Sequence, residues 1–244
     1  MQLNLNSTGS RSAQSEAAID AGLRSYMLRV YNYMATGVGL TGIVAYAVAN
    51  TSLINLFYAV QDGRLAPTGL GFLVMFAPLA FVMVISFGVN RLSASALQGV
   101  FWAFCAVMGL SMANIFITYT GTSIARVFFV TAIAFGSLSL YGYTTKRNLS
   151  GMKTFLFMGL IGIVVASLVN MFMQSSMMHF IISVVGVLVF AGLTAYDTQR
   201  IRLEYSANDG QATASKKAIL GALSLYLNFI NMFMMLLSLF GNRE

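Results

Sequence analysis

The sequence predicts an all-α integral membrane protein, a bundle of seven transmembrane helices. Three observations predict it. Of the 244 residues, 58% are hydrophobic and 9% are charged, whereas a soluble domain carries about 25% charged residues, so most of the surface must face an apolar solvent. Apolar stretches of about 20 residues, enough for a helix to cross a hydrocarbon core of ~30 Å, recur along the chain. The breaks between them carry turn and charge signals and contain no long linker.

The elements follow in order. Residues 1–32 are polar, with Arg11, Glu16, Asp20, Arg24 and Arg29 ahead of the first apolar run. This is not how a cleavable secretory signal begins, and the segment reads as a cytoplasmic tail. Residues 33–244 then form the membrane domain, with spans at 33–58, 68–90, 95–118, 123–143, 153–173, 178–198 and 217–240. The breaks fall at 61–64, at Asn90 and Arg91, and at 120–122, 146–148, 174–176 and 200–217. Pro78 removes a backbone donor inside the second span and predicts a kink there. Gly109 with Ala113, and Gly159, Gly162 and Ala166 with Asn170, predict seams where helix backbones approach closely. No internal repeat of the inverted-transporter kind is visible.

Charge gives the orientation. Of the fourteen Lys and Arg residues, only Arg64, Arg126 and Arg243 fall on one set of alternating connections, and the other eleven share the opposite side. The positive-inside rule places that side, with the N-terminus, in the cytoplasm, and seven spans then place the C-terminus outside. A polar stripe in the last span leaves open a re-entrant segment, which would return the C-terminus to the cytoplasm.

Several classes of function are excluded. The formal net charge of +7 comes from basic residues set between hydrophobic segments, without the clustered Lys/Arg and exposed aromatics of a nucleic-acid binder. Cys105 is the single cysteine, so neither a disulfide framework nor a cysteine metal cluster is available. His179 has no second ligand at metal spacing and reads as interfacial. No glycine-rich phosphate cradle and no cofactor motif are present. The sixteen methionines are spread through every span and read as packing or lipid-facing residues.

An ionisable residue inside a spanning helix is costly and marks a candidate site. Asp197 follows the uninterrupted uncharged run 180–196. Either it pairs with Arg200 or Arg202 one turn later, or it stands on an ion or proton path. In the seventh span, Gly221, Ser224, Asn228, Asn231, Met235 and Ser238 recur at steps of three and four and share one face. That face is either hydrogen-bonding glue between helices or the lining of a hydrated path opposite the carboxylate. Enzymatic chemistry is not expected: an aspartyl intramembrane protease needs a second carboxylate where residue 228 is an amide, and no helical histidine is placed to activate Ser111.

The motif AYDTQRI at 195–201 followed by LSLYLNFINMF at 223–233 resembles the Bax inhibitor-1 family of transmembrane Bax-inhibitor-motif proteins. SLYGYTTKRNLSG at 139–151 and LFMGLIGIVVASLVN at 156–170 resemble its bacterial inner-membrane branch, and the likeness covers nearly the whole chain. The resemblance implies a seven-helix fold and, from characterised bacterial relatives, a pH-sensitive calcium leak governed by two facing aspartates on the sixth and seventh helices. Asp197 matches the first and would be the Ca²⁺ ligand. The second falls on Asn228, and a basic residue that latches the closed state falls on Arg91. One carboxylate facing an amide offers one charge and titrates as a single site, so the departure at 228 weakens inherited calcium binding.

The expected function is thus a pH-sensitive leak for Ca²⁺ or H⁺ in a bacterial cytoplasmic membrane, with Asp197 facing Asn228, Arg91 as latch, and Asn231 and Ser224 on the path. The alternative is a non-transporting interaction protein that modulates a membrane protease or stress response through residues 1–32, as other bacterial relatives resemble. The lipid bilayer is the one partner common to both.

Overall fold

A computed structural model describes residues 6–61 and 64–243. Residues 1–5 of the expected tail, and positions 62 and 63 of the expected first loop, lie outside the described residues. The chain forms α1 (Asn6–Ala49), α2 (Ile54–Phe57), the antiparallel strands β1 (Tyr58–Gln61) and β2 (Arg64–Pro67), α3 (Gly69–Gly88), α4 (Ala94–Met112) and α5 (Ile115–Thr118). There follow α6 (Gly121–Thr144), the 3₁₀ turn Leu149–Met152, α7 (Lys153–Met173), α8 (Ser176–Leu203) and α9 (Gln211–Phe240).

The helices start where the sequence supplies a cap. Thr68, Ser93, Thr120 and Ser175 each accept a hydrogen bond from the backbone N–H three residues on, satisfying a donor that the first turn leaves unpaired. Gln174 closes α7 in the left-handed region, φ 50°, and its N–H donates to the Asn170 carbonyl.

Six helical stretches are long and apolar enough to cross a membrane: Gly69–Gly88, Ala94–Thr118, Gly121–Thr144, Leu149–Met173, Ser176–Leu203 and Gln211–Phe240. Their outward faces carry the large apolar side chains that water would reject and lipid accepts. Phe172 and Phe155 of α7 are 81% and 74% exposed.

The expected first span is the element that differs. Instead of running over 33–58, the helix ends at Ala49, where the side chains of Asn50 and Thr51 donate back to the carbonyls of Tyr46 and Ala47. The apolar residues that follow go into α2 and into the hairpin, where Tyr58 pairs with Pro67. Toward its N-terminus α1 continues far into the expected tail, and Tyr26, Met27 and Val30 are already core residues. Asn32, Thr36, Gly39 and Gly42 dilute the apolar character of its second half, which is why α1 is not among the six.

Helix α9 is the axis of the bundle, with 67% of its span buried, and α7 is the outlier, with 11%. Helices α1, α4, α6 and α8 pack on α9, α7 packs on α8, and α3 packs on α4. Tyr226 of α9 is fully buried against the edges of Phe101 and Phe104, and its hydroxyl is hydrogen-bonded to Thr41 Oγ1 at 2.6 Å. Two of the expected close approaches are present: a Cβ on Gly109 would meet the Thr41 carbonyl oxygen at 2.7 Å, and one on Gly159 would meet Val189 Cγ2 at 2.9 Å. Gly162 faces open space instead.

Candidate functional site

Helix α9 runs unbroken from one end of the bundle to the other. At one end Lys216 Nζ donates to the Val89 carbonyl at the close of α3. At the other, Thr120 N–H donates to the Asn242 carbonyl and Asn242 N–H to Ser123 Oγ. The α9 segment is thus one continuous helix, with its ends beside the close of α3 and the start of α6.

The polar face of α9 lies along α8, and Ser224, Asn228 and Ser238 find partners there in order. Asn228, buried at 5% exposure, donates from Nδ2 to Asp197 Oδ2 at 2.8 Å. Arg200 takes the other carboxylate oxygen, donating to Asp197 Oδ1 from Nε at 3.1 Å and from Nη2 at 3.0 Å. The same guanidinium reaches Ser224 Oγ at 3.2 Å and Glu204 Oε1 at 3.0 Å. Asn231 turns its amide to the Leu227 carbonyl of its own helix at 2.8 Å.

Asp197 is thus saturated: a cation on one oxygen, an amide on the other, and a side chain only 13% exposed. An unpaired charge on a helix of this apolar character is costly, and the three-residue helical spacing between Asp197 and Arg200 brings the neutralising charge within reach. The pairing with Arg200 is present, and the carboxylate also faces the polar stripe of α9. Arg91 does not join it. Its N–H donates to the Gly88 carbonyl, and its side chain makes no ion pair among the described residues.

The cluster opens into a cleft of about 430 Å³ between α7, α8 and α9, with Lys153 and Glu204 near its basic end and Phe157, Leu160 and Asn231 farther in. Beyond Asn231 the seam narrows, since a Cβ on Gly186 would lie 3.0 Å from the Met235 side chain. Past Met235 it turns polar again. Ser183 Oγ and Ser238 Oγ are 3.1 Å apart, and Ser238 Oγ is 2.7 Å from His179 Nε2, in a second cleft with Asn170 and Arg243.

Glu204 and Lys153 were not legible as members of this site. The four-residue spacing of Arg200 and Glu204 was a usable signal. Lys153 carried none, because the packing of α7 on α8 brings it there. No group of three metal-ligating side chains occurs among the described residues. One carboxylate with both oxygens engaged is far from the six to eight oxygens that calcium takes.

An all-helical, multi-pass membrane protein with one carboxylate held between its last two helices is the class that this fold and site define. The family model described as inhibitor of apoptosis-promoting Bax1 matches residues 23–244, and the chain belongs to that family, the Bax inhibitor-1 family. The chain is 47% identical over 226 residues to the inner membrane protein YbhL of Escherichia coli K12, covering 92% of this chain and 94% of the relative. It is 45% identical over 235 residues to an uncharacterized protein of Caulobacter vibrioides, covering 95% and 94%. To the uncharacterized protein RP147 of Rickettsia prowazekii it is 42% identical over 225 residues, covering 92% of each.

Proposed function

We propose that the chain is a cation leak pathway for Ca²⁺ or H⁺ that runs along the α8–α9 seam under the control of Asp197. One observation carries this reading: a largely buried carboxylate, bridged to Asn228 across the two helices, heads a polar run that resumes at Ser183, Ser238 and His179 farther along the seam. The run is shut at Met235 over Gly186, and Arg200 stands where a permeating cation would have to sit. Opening requires Arg200 to leave Asp197 and Met235 to leave Gly186. Arg200 therefore supplies the closing charge at the carboxylate, and Arg91 serves as latch only if α3 moves toward α8. No catalytic step enters this function.

The seven-helix arrangement belongs to the same proposal, with the second half of α1 crossing beside the six apolar helices. The N-terminus and the 200–217 connection then face the cytoplasm, together with eleven of the fourteen basic residues. The C-terminus lies outside. The printed name of the Escherichia coli relative supports an inner-membrane location.

Liposomes holding the purified chain, loaded with calcium- and proton-sensitive dyes, test the function across pH 5 to 8. Flux above that of empty liposomes, altered by Asp197→Asn, is the expected result. Identical traces for empty and protein-loaded liposomes would remove the leak and leave the interaction role, in which a membrane protease is the partner.

A further inference from the structure

Helices α1 and α6 both pack on α9 but stand apart from each other over much of their length. Between them runs a slot open to the side of the bundle. One wall is the face of α1 that carries Arg24, Tyr31, Ala35 and Gly42, and the other is the face of α6 that carries Gly121, Phe128, Gly136 and Tyr143. Phe229, Ile230 and Phe233 of α9 form the floor of its deeper part. The slot divides into a cavity of about 610 Å³ beside Arg24 and one of about 260 Å³ toward Gly121.

The walls are smooth because glycines stand in them. A Cβ on Gly42, Gly121 or Gly136 would meet nothing within 4 Å. The polar groups of the larger cavity are satisfied internally: Tyr31 Oη is 2.7 Å from Ser139 Oγ, which is 2.9 Å from Thr198 Oγ1, and Thr198 donates to the Thr194 carbonyl. Water needs two to four polar partners to settle in a cavity, and this one offers it few. Hydrocarbon needs none.

The mouth has a different chemistry. Arg24 lines it, exposed, and makes no ion pair with any described residue, including Asp20 one turn earlier. Tyr143 on the opposite wall carries a second guanidinium, that of Arg202, which donates to the Tyr143 carbonyl and lies 5.9 Å from the centre of its ring. A guanidinium presents its N–H groups in a fork that matches the oxygens of a phosphate. An apolar trough headed by a cationic, aromatic mouth has the polarity of one lipid molecule.

We propose that this slot binds an anionic phospholipid, with an acyl chain lying between α1 and α6 and the headgroup phosphate at Arg24. The lipid fills the gap that α1 and α6 leave on either side of the Tyr31–Ser139 bond and covers the flank of α9, the helix that carries Asn228. It belongs to the leaflet at the Arg24 end. The assignment is independent of whether the α8–α9 seam conducts.

Native mass spectrometry of the full chain, released from nanodiscs of equal parts phosphatidylglycerol and phosphatidylethanolamine, tests the site. The parent should retain phosphatidylglycerol in preference, and Arg24→Gln should lower that preference about fivefold, the loss of one basic group near a phosphate. Arg24→Lys should keep most of it. Gly136→Phe, and Ala35→Phe from the opposite wall, should each displace both lipids severalfold without lowering the melting temperature, because the new rings enter open space. Unchanged lipid retention in both phenylalanine variants would overturn the groove. An unchanged preference in Arg24→Gln would overturn the headgroup assignment, and a dimer in place of a lipid adduct would overturn the lipid as occupant.

Discussion

Met235 of α9 closes over Gly186 of α8: a Cβ placed on the glycine would sit 3.0 Å from both the Cγ and the Sδ of the methionine. The contact separates the polar cluster around Asp197 from the one around Ser238. If cations cross along this seam, the thioether is the part that must move, and an unbranched side chain with three rotatable bonds moves at low cost. Met235→Ala should raise cation flux in liposomes severalfold at every pH tested. An unchanged flux beside an active parent would mean that the path lies elsewhere in the bundle.

The bond between Asp197 and Arg200 should have a stability signature. Arg200→Gln removes the cation from a carboxylate that keeps only Asn228, and breaking a fully buried pair costs about 3–5 kcal/mol. The Arg200 side chain is 36% exposed, so solvent screens part of this and a loss of about 1–2 kcal/mol is expected. The double variant Arg200→Gln with Asp197→Asn should recover most of it, since no charge is then left unpaired. Denaturant unfolding in detergent micelles measures all three variants, and additive losses would show that the two side chains do not interact.

Orientation can be read with cysteines, because Cys105, the single native thiol, is fully buried. Asn242→Cys should react with a membrane-impermeant thiol reagent on intact spheroplasts. Ala207→Cys, in the connection between α8 and α9, should react only after permeabilisation. The reverse pattern would invert the bundle.

Six spans were legible because each apolar run is bounded by a capping residue or by charge, as at Ser93 and Ser175. The first was not. Ile54, Leu56 and Phe57 have the composition of a span, but hydropathy does not register the backbone pairing that carries Tyr58 back to Pro67. In the other direction Tyr26, Met27 and Val30 follow helical spacing inside a stretch whose polarity hides them. At the site, the α9 stripe was legible from its period and Asp197 from its isolation. Arg200 as the carboxylate's partner was legible from the three-residue spacing, whereas the exclusion of Arg91 depends on how α3 packs on α4 and α4 on α9, which no local pattern encodes. Nor does any pattern bring Thr41 to Tyr226.

Replacing Asn228 by aspartate should make the pH dependence of flux steeper than in the parent. In the parent, the amide of Asn228 donates to Asp197 at 2.8 Å and Arg200 neutralises the carboxylate, so no proton is needed to hold α8 against α9. In Asn228→Asp a second carboxylate replaces the donor. Two carboxylates a few ångströms apart do not both ionise without a cost, and the pair retains a shared proton until the pH is high enough to remove it. The charges that face the pair are Arg200 and Glu204 of α8 and Lys153 of α7. Arg200 can offset one of the two carboxylates but not both. At low pH the shared proton therefore bridges the helices as the amide did, and the seam stays shut. As the pH rises the proton leaves, the second charge appears, and repulsion between α8 and α9 adds to the tendency to open. Flux should then increase with pH over a narrower interval than in the parent, and it should become sensitive to calcium, which two facing carboxylates hold better than one carboxylate and an amide. Removing Arg200 in the same background should shift the profile to higher pH, because the pair loses the cation bonded to it and holds its proton longer. The measurement is flux in liposomes across pH 5 to 8 for the parent, Asn228→Asp and Asn228→Asp with Arg200→Gln. Superimposable profiles for the parent and Asn228→Asp would show that residues 197 and 228 do not act as a coupled pair.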